Sequence, residues 1–217
     1  MPEPEERLVP TPQGHARVII RRARPARLAV MLQHGASGGI GARDLVALAT
    51  RLPGHGITTV VLQQPFAVAG KRVAPRPAVL DECLAAVVRQ LRVRTPLVLG
   101  GRSSGARCSC RMARELGAVA VLALAFPLHP PGRPEKSRAE ELLGSGVPTL
   151  VLQGTRDTFG GPDEFPALPS GTRLVDVPGA DHGFAVTKAS ARTQAETIDE
   201  VVAEVLAWLD EVAGNLR

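Results

Sequence analysis

The sequence contains no tyrosine, and tryptophan and phenylalanine bring its aromatic content to only 3% of 217 residues. Proteins that bind single-stranded nucleic acids stack bases on aromatic side chains, so this mode of binding is not expected here. Arginines do cluster at the start of the chain, but they are interleaved with apolar residues, as outward charges on a strand are. The cluster comprises Arg17, Arg21, Arg22, Arg24 and Arg27. We predict a solvated strand face and no nucleic-acid partner.

Long apolar segments and paired cysteines are also missing. No apolar run reaches the roughly 18 residues that a membrane span needs, and the first residues (MPEPEER) do not form a secretory signal. The three cysteines, Cys83, Cys108 and Cys110, are an odd number and are expected to be buried thiols. We therefore expect a cytoplasmic protein with no membrane partner. Metal-ligand spacings such as HExxH are absent, so no metal site is predicted.

The composition, 44% hydrophobic and 22% charged, is typical of a globular protein, and we expect a single domain over residues 1–217. Near-continuous apolar runs, which are typical of parallel strands buried on both faces, occupy residues 27–33, 58–63, 96–101, 119–126 and 148–153. A sixth, weaker strand is predicted at Thr172–Val177. Residues 7–10 and 16–22 are predicted to form an antiparallel pair.

Helical patterns lie between these runs. The clearest is the last, in which Ile198, Val201, Val205, Leu209 and Val212 recur at spacings of three and four. Similar faces are formed by Leu45, Leu48, Ala49 and Leu52, and by Leu80, Leu84, Val87 and Leu91. Alternating strands and helices predict an α/β fold with a doubly wound, mostly parallel sheet. Sites in such sheets form beyond the carboxyl ends of the strands.

A candidate nucleophile follows the third apolar run. Residues 101–105 (GRSSG) fit the pattern G-x-S-x-G between a predicted strand and a helical stretch over 105–116. So sharp a turn needs glycines two residues before and after the serine, and it places Ser103 at a helix N-terminus. Ser104 is the competing nucleophile, but only Ser103 has both glycines. Ser104 is expected instead to offer its backbone N–H to an oxyanion hole.

A serine hydroxyl needs a base within hydrogen-bonding reach. His182, in the loop GADHGF after the last predicted strand, is the candidate base, and Asp157, which follows the run 148–153, is the candidate carboxylate that orients it. Serine, acid and histidine then follow in one of the known chain orders. Asp181, Asp163 and Asp176 are weaker alternatives for the acid.

The second oxyanion donor is predicted after the first apolar run, in the segment QHGASGG over residues 33–39. Its small residues let backbone N–H groups approach a substrate oxygen, and the Ala36 N–H would pair with that of Ser104. The alternative is a glycine-rich turn that only connects a strand to a helix. His34 is expected to shape this loop rather than to transfer protons.

Together the motifs HGASGG, GRSSG, GTRD and GADHGF resemble the α/β-hydrolase superfamily in its dienelactone-hydrolase-like branch. The segments GGRSSGAR, FPLHPPGRPE and LQGTRDTFG are similar to those of bacterial hydrolase-like proteins related to subunit 3 of the animal NSL chromatin complex. The resemblance implies a cofactor-free serine hydrolase that acts on a small-molecule ester or thioester. Dienelactone hydrolases use a cysteine nucleophile, so Ser103 argues against a dienelactone substrate.

Little sequence is left between residues 126 and 147 for a lid, so we expect minimal or no cap domain and an open site. His129 and Arg133 could line it, and Arg102 could either meet an anionic substrate or make structural hydrogen bonds to nearby loops. Two other functions are alternatives. One is a catalytically idle domain that serves as a protein-binding scaffold; the other is a dinucleotide-binding protein, for which residues 39–44 (GIGARD) lack the third glycine of G-x-G-x-x-G.

Overall fold

The computed structural model describes residues 3–37 and 39–216. The strands are β1 Glu5–Thr11, β2 Gly14–Arg21, β3 Leu28–Gln33, β4 Ile57–Gln63, β5 Leu97–Arg102, β6 Ala120–Leu124, β7 Thr149–Gly154 and β8 Thr172–Val177. The helices are α1 Arg43–Arg51, α2 Pro65–Val68, α3 Pro77–Leu91, α4 Ser104–Met112, α5 Ala139–Leu143 and α6 Gln194–Gly214.

The strands form one sheet in the order β1-β2-β4-β3-β5-β6-β7-β8. Strands β3 to β8 are parallel, whereas β2 is antiparallel to both β1 and β4. Every residue of β3, β6 and β7 is buried, because helices cover both faces of the sheet. The predicted doubly wound, mostly parallel sheet is therefore confirmed.

Helices α1 and α6 bury their apolar faces on one side of the sheet, with Leu45 and Val205 in the same core as Val30. Helices α3 and α4 cover the other side, where Leu84 and Ala106 pack with Met31. Each helix leaves its polar face in water, as the amphipathic patterns predict. The three cysteines are free and buried, as expected.

Several element boundaries differ from the predicted ones by a residue or more; helix α4, for example, ends at Met112 rather than at residue 116. Two of the differences have a clear local cause. Strand β6 stops at Leu124 rather than at residue 126, because Ala125 adopts a positive φ of 44° that a strand cannot contain. Helix α1 stops at Arg51, and Leu52 begins a 3-10 turn that includes Pro53 and closes on Gly56 in the left-handed conformation.

The register of the parallel strands brings their carboxyl ends to one edge. Gln33 at the end of β3 lies opposite Gly101 of β5, and Arg102 lies opposite Leu124 at the end of β6. Strand β7 ends two residues beyond Leu152, which pairs with Leu124. The loops that follow β3, β5 and β7 therefore emerge side by side, and they carry the residues singled out above.

The arginine cluster lies on and after β2, exposed or half-buried. Arg17 forms an ion pair with Glu6 of β1 at 2.6 Å, and Arg22 pairs with Glu5 at 3.0 Å. These pairs agree with a solvated strand face. Among the described residues, no helix combines the length and apolar character needed to cross a membrane.

Candidate active site

Ser103 occupies the turn between β5 and α4 with φ 53° and ψ −119°. A residue with a side chain rarely adopts this conformation, and backbone strain of this kind gathers at functional sites. The neighbouring chain leaves no room for larger residues in the turn: a Cβ on Gly101 or on Gly105 would lie 2.7 Å from the Gln33 carbonyl oxygen. The glycines of GRSSG are therefore required by the close approach of β3.

The structure brings Ser103, His182 and Asp157 together. His182 Nδ1 lies 2.7 Å from Asp157 Oδ2, and Nε2 lies 2.9 Å from Ser103 Oγ. An ionised carboxylate can only accept, so Nδ1–H donates to Asp157 and Nε2 accepts from the serine hydroxyl. The Asp157 side chain is fully buried, whereas that of His182 is 22% exposed. The arrangement has the geometry of a nucleophile with an oriented base.

Three donors hold the Asp157 carboxylate in place. Besides His182, Gln153 Nε2 donates to Oδ2 at 2.9 Å, and the Phe159 N–H donates to Oδ1 at 2.8 Å. Gln153 belongs to β7 and is itself buried, so the carboxylate is anchored to the sheet rather than to a mobile loop. Hydrogen bonds from three donors therefore fix the position of the carboxylate beside the imidazole.

The loop of His182 is built against the end of β7. A Cβ on Gly154 would collide with the carbonyl of Ala180 and lie 2.9 Å from that of Asp181, so only glycine lets the two segments cross here. Asp181 shapes the loop, since its Oδ1 accepts from the backbone N–H groups of Gly183 and Ala185, each at 2.8 Å. Asp181 is thus occupied by its own loop.

The two remaining alternatives for the acid, Asp163 and Asp176, are exposed. Within residues 3–37 and 39–216, neither is hydrogen-bonded to His182. Asp157 alone of the four candidate carboxylates is placed to orient the imidazole.

Two further side chains fix His182. The ring of Phe159 stacks on the imidazole with 4.3 Å between ring centroids and an interplanar angle of 30°. Arg102 donates through Nη2 to the His182 carbonyl and through Nε to the buried Asp44 at 2.9 Å. The guanidinium therefore joins α1, the nucleophile strand and the histidine loop, which is the structural alternative considered for Arg102.

The predicted oxyanion donors, Ala36 and Ser104, lie beside the nucleophile. Gly35 touches it: a Cβ there would lie 3.3 Å from the Cβ of Ser103. Among the described residues, the backbone N–H groups of Ala36 and Ser104 have no hydrogen-bond acceptor, and the oxyanion role expected of both stays a prediction. Gly38, which belongs to the predicted loop, lies outside the described residues.

His34 fixes the orientation of this loop. Its Nδ1–H donates to the Gly35 carbonyl at 2.7 Å, and its Nε2 accepts from the Gln64 N–H at 3.0 Å. The Gly35 carbonyl and the Ala36 N–H belong to one trans peptide, so they point in opposite directions. Holding the carbonyl inward therefore turns the N–H outward. Burial lowers the pKa of His34, which favours the neutral ring that these two hydrogen bonds need.

His129, predicted as a substrate contact, is buried with both ring nitrogens occupied. Nδ1 donates to the Pro130 carbonyl at 2.9 Å, and Nε2 lies 2.9 Å from Glu164 Oε2. The hydrogen bond to Pro130, with a further contribution from Glu164, raises the pKa of His129. The ring ties the segment after β6 to the loop that carries Asp157. This arrangement gives no support to direct contact with a substrate, and Arg133 lies exposed on the same segment.

The segment between β6 and β7 forms no large cap. It contains a 3-10 turn at Pro134–Lys136 and the five-residue helix α5. Glu141 of α5 is clamped by Arg107, with two contacts of 2.6 Å, and by Arg111 at 3.0 Å. Both arginines belong to α4, so the segment is fixed to the body of the domain.

Comparisons with known proteins agree with this architecture. A family model described as an alpha/beta hydrolase domain matches residues 26–210. The chain belongs to the α/β hydrolase domain family. An α/β serine hydrolase without a lid from Xanthomonas campestris is 22% identical, with 96% of each chain covered and a TM-score of 0.73. A serine hydrolase homologue from Coxiella burnetii is 20% identical over 94% of this chain and 99% of that one, with a TM-score of 0.74.

A thermophilic esterase from Thermogutta terrifontis is also similar, with 16% identity, a TM-score of 0.68, and 96% of this chain and 99% of that chain covered. At these identities the structural likeness concerns the fold alone. Membership of the α/β hydrolase family confirms the superfamily that the motifs resembled. The finer assignment, to the dienelactone-hydrolase-like branch near the relatives of NSL subunit 3, stays a prediction.

Several residues that build the site of this α/β hydrolase domain were not found from the sequence. Gln153 and Phe159 support the Asp157–His182 pair, while Asp44 and Glu164 hold Arg102 and His129. One signal was available for Gln153, because a polar residue at the end of a fully buried strand needs a hydrogen-bond partner. The other contacts depend on how loops fold back, which no local pattern encodes.

Proposed function

We propose that this α/β hydrolase domain is a serine hydrolase that cleaves small esters or thioesters through an acyl-enzyme intermediate. The observation that carries the proposal is the continuous hydrogen-bonded chain from Ser103 Oγ through His182 to Asp157, with contacts of 2.9 and 2.7 Å. Such a chain gives the hydroxyl a base in the correct tautomer.

In the first half-reaction, Ser103 Oγ attacks the substrate carbonyl carbon while its proton moves to His182 Nε2. The carbonyl π bond opens and its electron pair becomes the oxyanion, which accepts hydrogen bonds from the Ser104 and Ala36 N–H groups. The oxyanion then reforms the carbonyl, and the bond to the alcohol or thiol breaks. The leaving group takes the proton from His182, and the acyl group stays on Ser103.

In the second half-reaction, water gives a proton to His182 Nε2 and attacks the acyl carbon. Collapse of the second oxyanion returns the proton to Ser103 Oγ and releases a carboxylic acid. Asp157 does not take up the proton; it stabilises the imidazolium that forms in each step. The donors from Gln153 and Phe159 keep its carboxylate aligned for both steps.

The open site supports a small substrate. The segment between β6 and β7, where a cap would be inserted, contains only the short helix α5, which Arg107 holds in place. Little protein surface is therefore available to enclose a long acyl chain or a large alcohol. Esterases and serine hydrolases among the structures of similar fold support the same reaction class. We therefore propose short acyl esters and thioesters as substrates.

The test is labelling of the folded protein by a fluorophosphonate, read by intact mass and peptide mapping. We expect one adduct, on Ser103. Ser103→Ala should abolish labelling and the hydrolysis of short p-nitrophenyl esters.

The matched control is Ser104→Ala, which keeps the backbone N–H. It should retain both fluorophosphonate labelling and p-nitrophenyl ester hydrolysis. Absence of an adduct from wild-type protein with a native circular dichroism spectrum would refute the proposal. That result would favour the idle scaffold considered above.

A further inference from the structure

A second concave site lies at the opposite end of the sheet from Ser103. It is a cavity of about 310 Å³ between the ends of β1, β2 and β4 and the segment that joins α3 to β5. Its rim carries Arg7, Arg22, Arg92 and Arg94, and its floor includes Ile20 and Val60. We call it the basic cavity.

The rim has an unbalanced charge. Glu5 accepts from both Arg7 and Arg22, the latter at 3.0 Å. Arg92 and Arg94 are exposed, and no carboxylate within residues 3–37 and 39–216 forms an ion pair with either. Among the described residues, Glu5 is thus the one carboxylate that pairs with any of these four guanidinium groups. Positive charges gathered at a concave surface concentrate anions there.

Arg92 is also held in an unfavourable backbone conformation. It ends α3 with φ 46° and ψ 52°, in the left-handed region. Glycine is the usual residue at this place because it adopts the conformation without strain. The chain instead carries an arginine whose side chain lines the cavity. Glycine at this position would remove the strain. The presence of arginine instead indicates that the Arg92 side chain itself has a function.

The floor of the basic cavity is apolar. Ile20 and Val60 come from neighbouring strands and are almost fully buried, so most of the accessible apolar surface comes from the half-buried Ala26, Leu91 and Val93. A free inorganic anion would make no use of such a floor. An amphiphilic ligand would place its charged group among the guanidinium groups and its hydrocarbon part against this apolar lining.

We propose that the basic cavity binds a small organic anion, a carboxylate with a short apolar tail. The cavity volume of about 310 Å³ lies at the lower end of the range for small-molecule sites. Guanidinium groups match a carboxylate through paired hydrogen bonds, which a neutral head group cannot form in the same way. The ligand would occupy a site separate from the proposed active site.

The separation follows from strand β5. The arginine segment leads into its first residue, Leu97, whereas Ser103 follows its last residue, Arg102. Six residues of strand at about 3.3 Å each separate the two sites by roughly 20 Å. This proposal therefore stands or fails independently of the serine chemistry.

The experiment is isothermal titration calorimetry with octanoate, run at about 0.15 M ionic strength so that distant charges are screened. Octanamide has the same tail without the charge and serves as the ligand control. We expect saturable binding of one octanoate per chain, and octanamide weaker by roughly tenfold or more.

Three variants locate the site. Arg94→Gln removes one rim charge, and Arg92→Gly removes another while relieving the backbone strain, so the second should weaken binding without lowering thermal stability. Each should weaken octanoate binding by roughly fivefold or more. Arg21→Gln is the matched control: it removes the same charge next to Arg22, but its side chain is not part of the lining. It should change binding by less than about twofold.

Two results would overturn the proposal. One is no saturable binding of octanoate up to about 10 mM. The other is equal weakening by all three variants or none by Arg92→Gly and Arg94→Gln, since diffuse charge or another site would then explain the binding. Ester hydrolysis by Ser103 should be unchanged in Arg92→Gly and Arg94→Gln, which separates this test from that of the proposed function.

Discussion

Replacement of His34 tests whether this buried ring fixes the orientation of the Ala36 N–H, the proposed oxyanion donor. The ring is 2% exposed and makes two hydrogen bonds, to the Gly35 carbonyl and from the Gln64 N–H. In the proposed mechanism it acts as a positioning residue, because it fixes the peptide that presents the Ala36 N–H. Loss of one oxyanion donor typically lowers kcat by about 10²–10³-fold, or about 3–4 kcal/mol in the transition state.

Two variants separate the hydrogen bonds. Asparagine can place a donor near the position of Nδ1 and keep the Gly35 carbonyl engaged, whereas glutamine can place an acceptor near Nε2 and serves only the Gln64 N–H. We expect His34→Gln to lower kcat for p-nitrophenyl acetate by about 10²-fold or more, with KM little changed. His34→Asn should stay within about tenfold of wild type.

Stability measurements distinguish a loss of positioning from a general destabilisation of the fold. Each variant loses one hydrogen bond worth about 1 kcal/mol and some packing, so urea denaturation should give similar losses of about 1–3 kcal/mol for both. A selective loss of kcat in His34→Gln at equal stability would show positioning. Equal kcat values in the two variants, or a larger loss in His34→Asn, would refute the reasoning.

The pH dependence of stability gives a second readout for the same residue. The folded-state pKa of His34 is lowered by burial from its usual value of 6.5. Its contribution to the unfolding free energy is therefore complete above about pH 6.5 and is lost as the pH falls towards the folded-state pKa, since the unfolded chain then binds the proton first. His34→Asn should show a smaller loss over that acid range.

The remaining predictions concern other parts of the site. Asp157→Asn should keep the fold and lower kcat by about 10³–10⁴-fold, because the amide no longer holds the required tautomer; a loss below about tenfold would contradict the assigned role. Gly154→Ala should lower the unfolding free energy in urea by about 1–3 kcal/mol or more, since its Cβ would collide with the Ala180 carbonyl, and unchanged stability would show that the crossing can relax. The raised pKa of His129 predicts a stabilisation that is complete below about pH 6.5 and lost as the pH rises through the folded-state value. The stability difference between wild type and His129→Asn should therefore shrink from pH 6 to 9, and a constant difference would contradict it.

The strands could be predicted because their signals are local. A run such as LAVMLQ at β3 is apolar on both faces, and only a doubly covered sheet can bury it. The pentapeptide around Ser103 was informative for a similar reason, since its glycines mark a turn that crowds the next strand. Because Ser103 and Asp157 follow the carboxyl ends of β5 and β7, the parallel strands then predicted that both lie at the same edge of the sheet.

The supporting contacts could not be predicted from local patterns. Arg102 contacts Asp44 of α1 and the carbonyl of His182, which lie 58 and 80 residues from it along the chain. The sequence leaves open which of many charged side chains will meet across such separations. His129 illustrates the same limit, because its partner Glu164 is 35 residues away. Loop conformation, rather than residue type, decides these pairings.

The short, clamped segment between β6 and β7 has a kinetic consequence. Because Arg107 and Arg111 fix α5, the segment between β6 and β7 forms no large cap that must open before a substrate reaches Ser103. In the proposed mechanism, bulk water has the same access to the acylated Ser103, and it is present in large excess over any competing alcohol. In the proposed mechanism, hydrolysis of this intermediate is therefore favoured over acyl transfer, and we expect bond breaking rather than the opening of a cap to limit turnover.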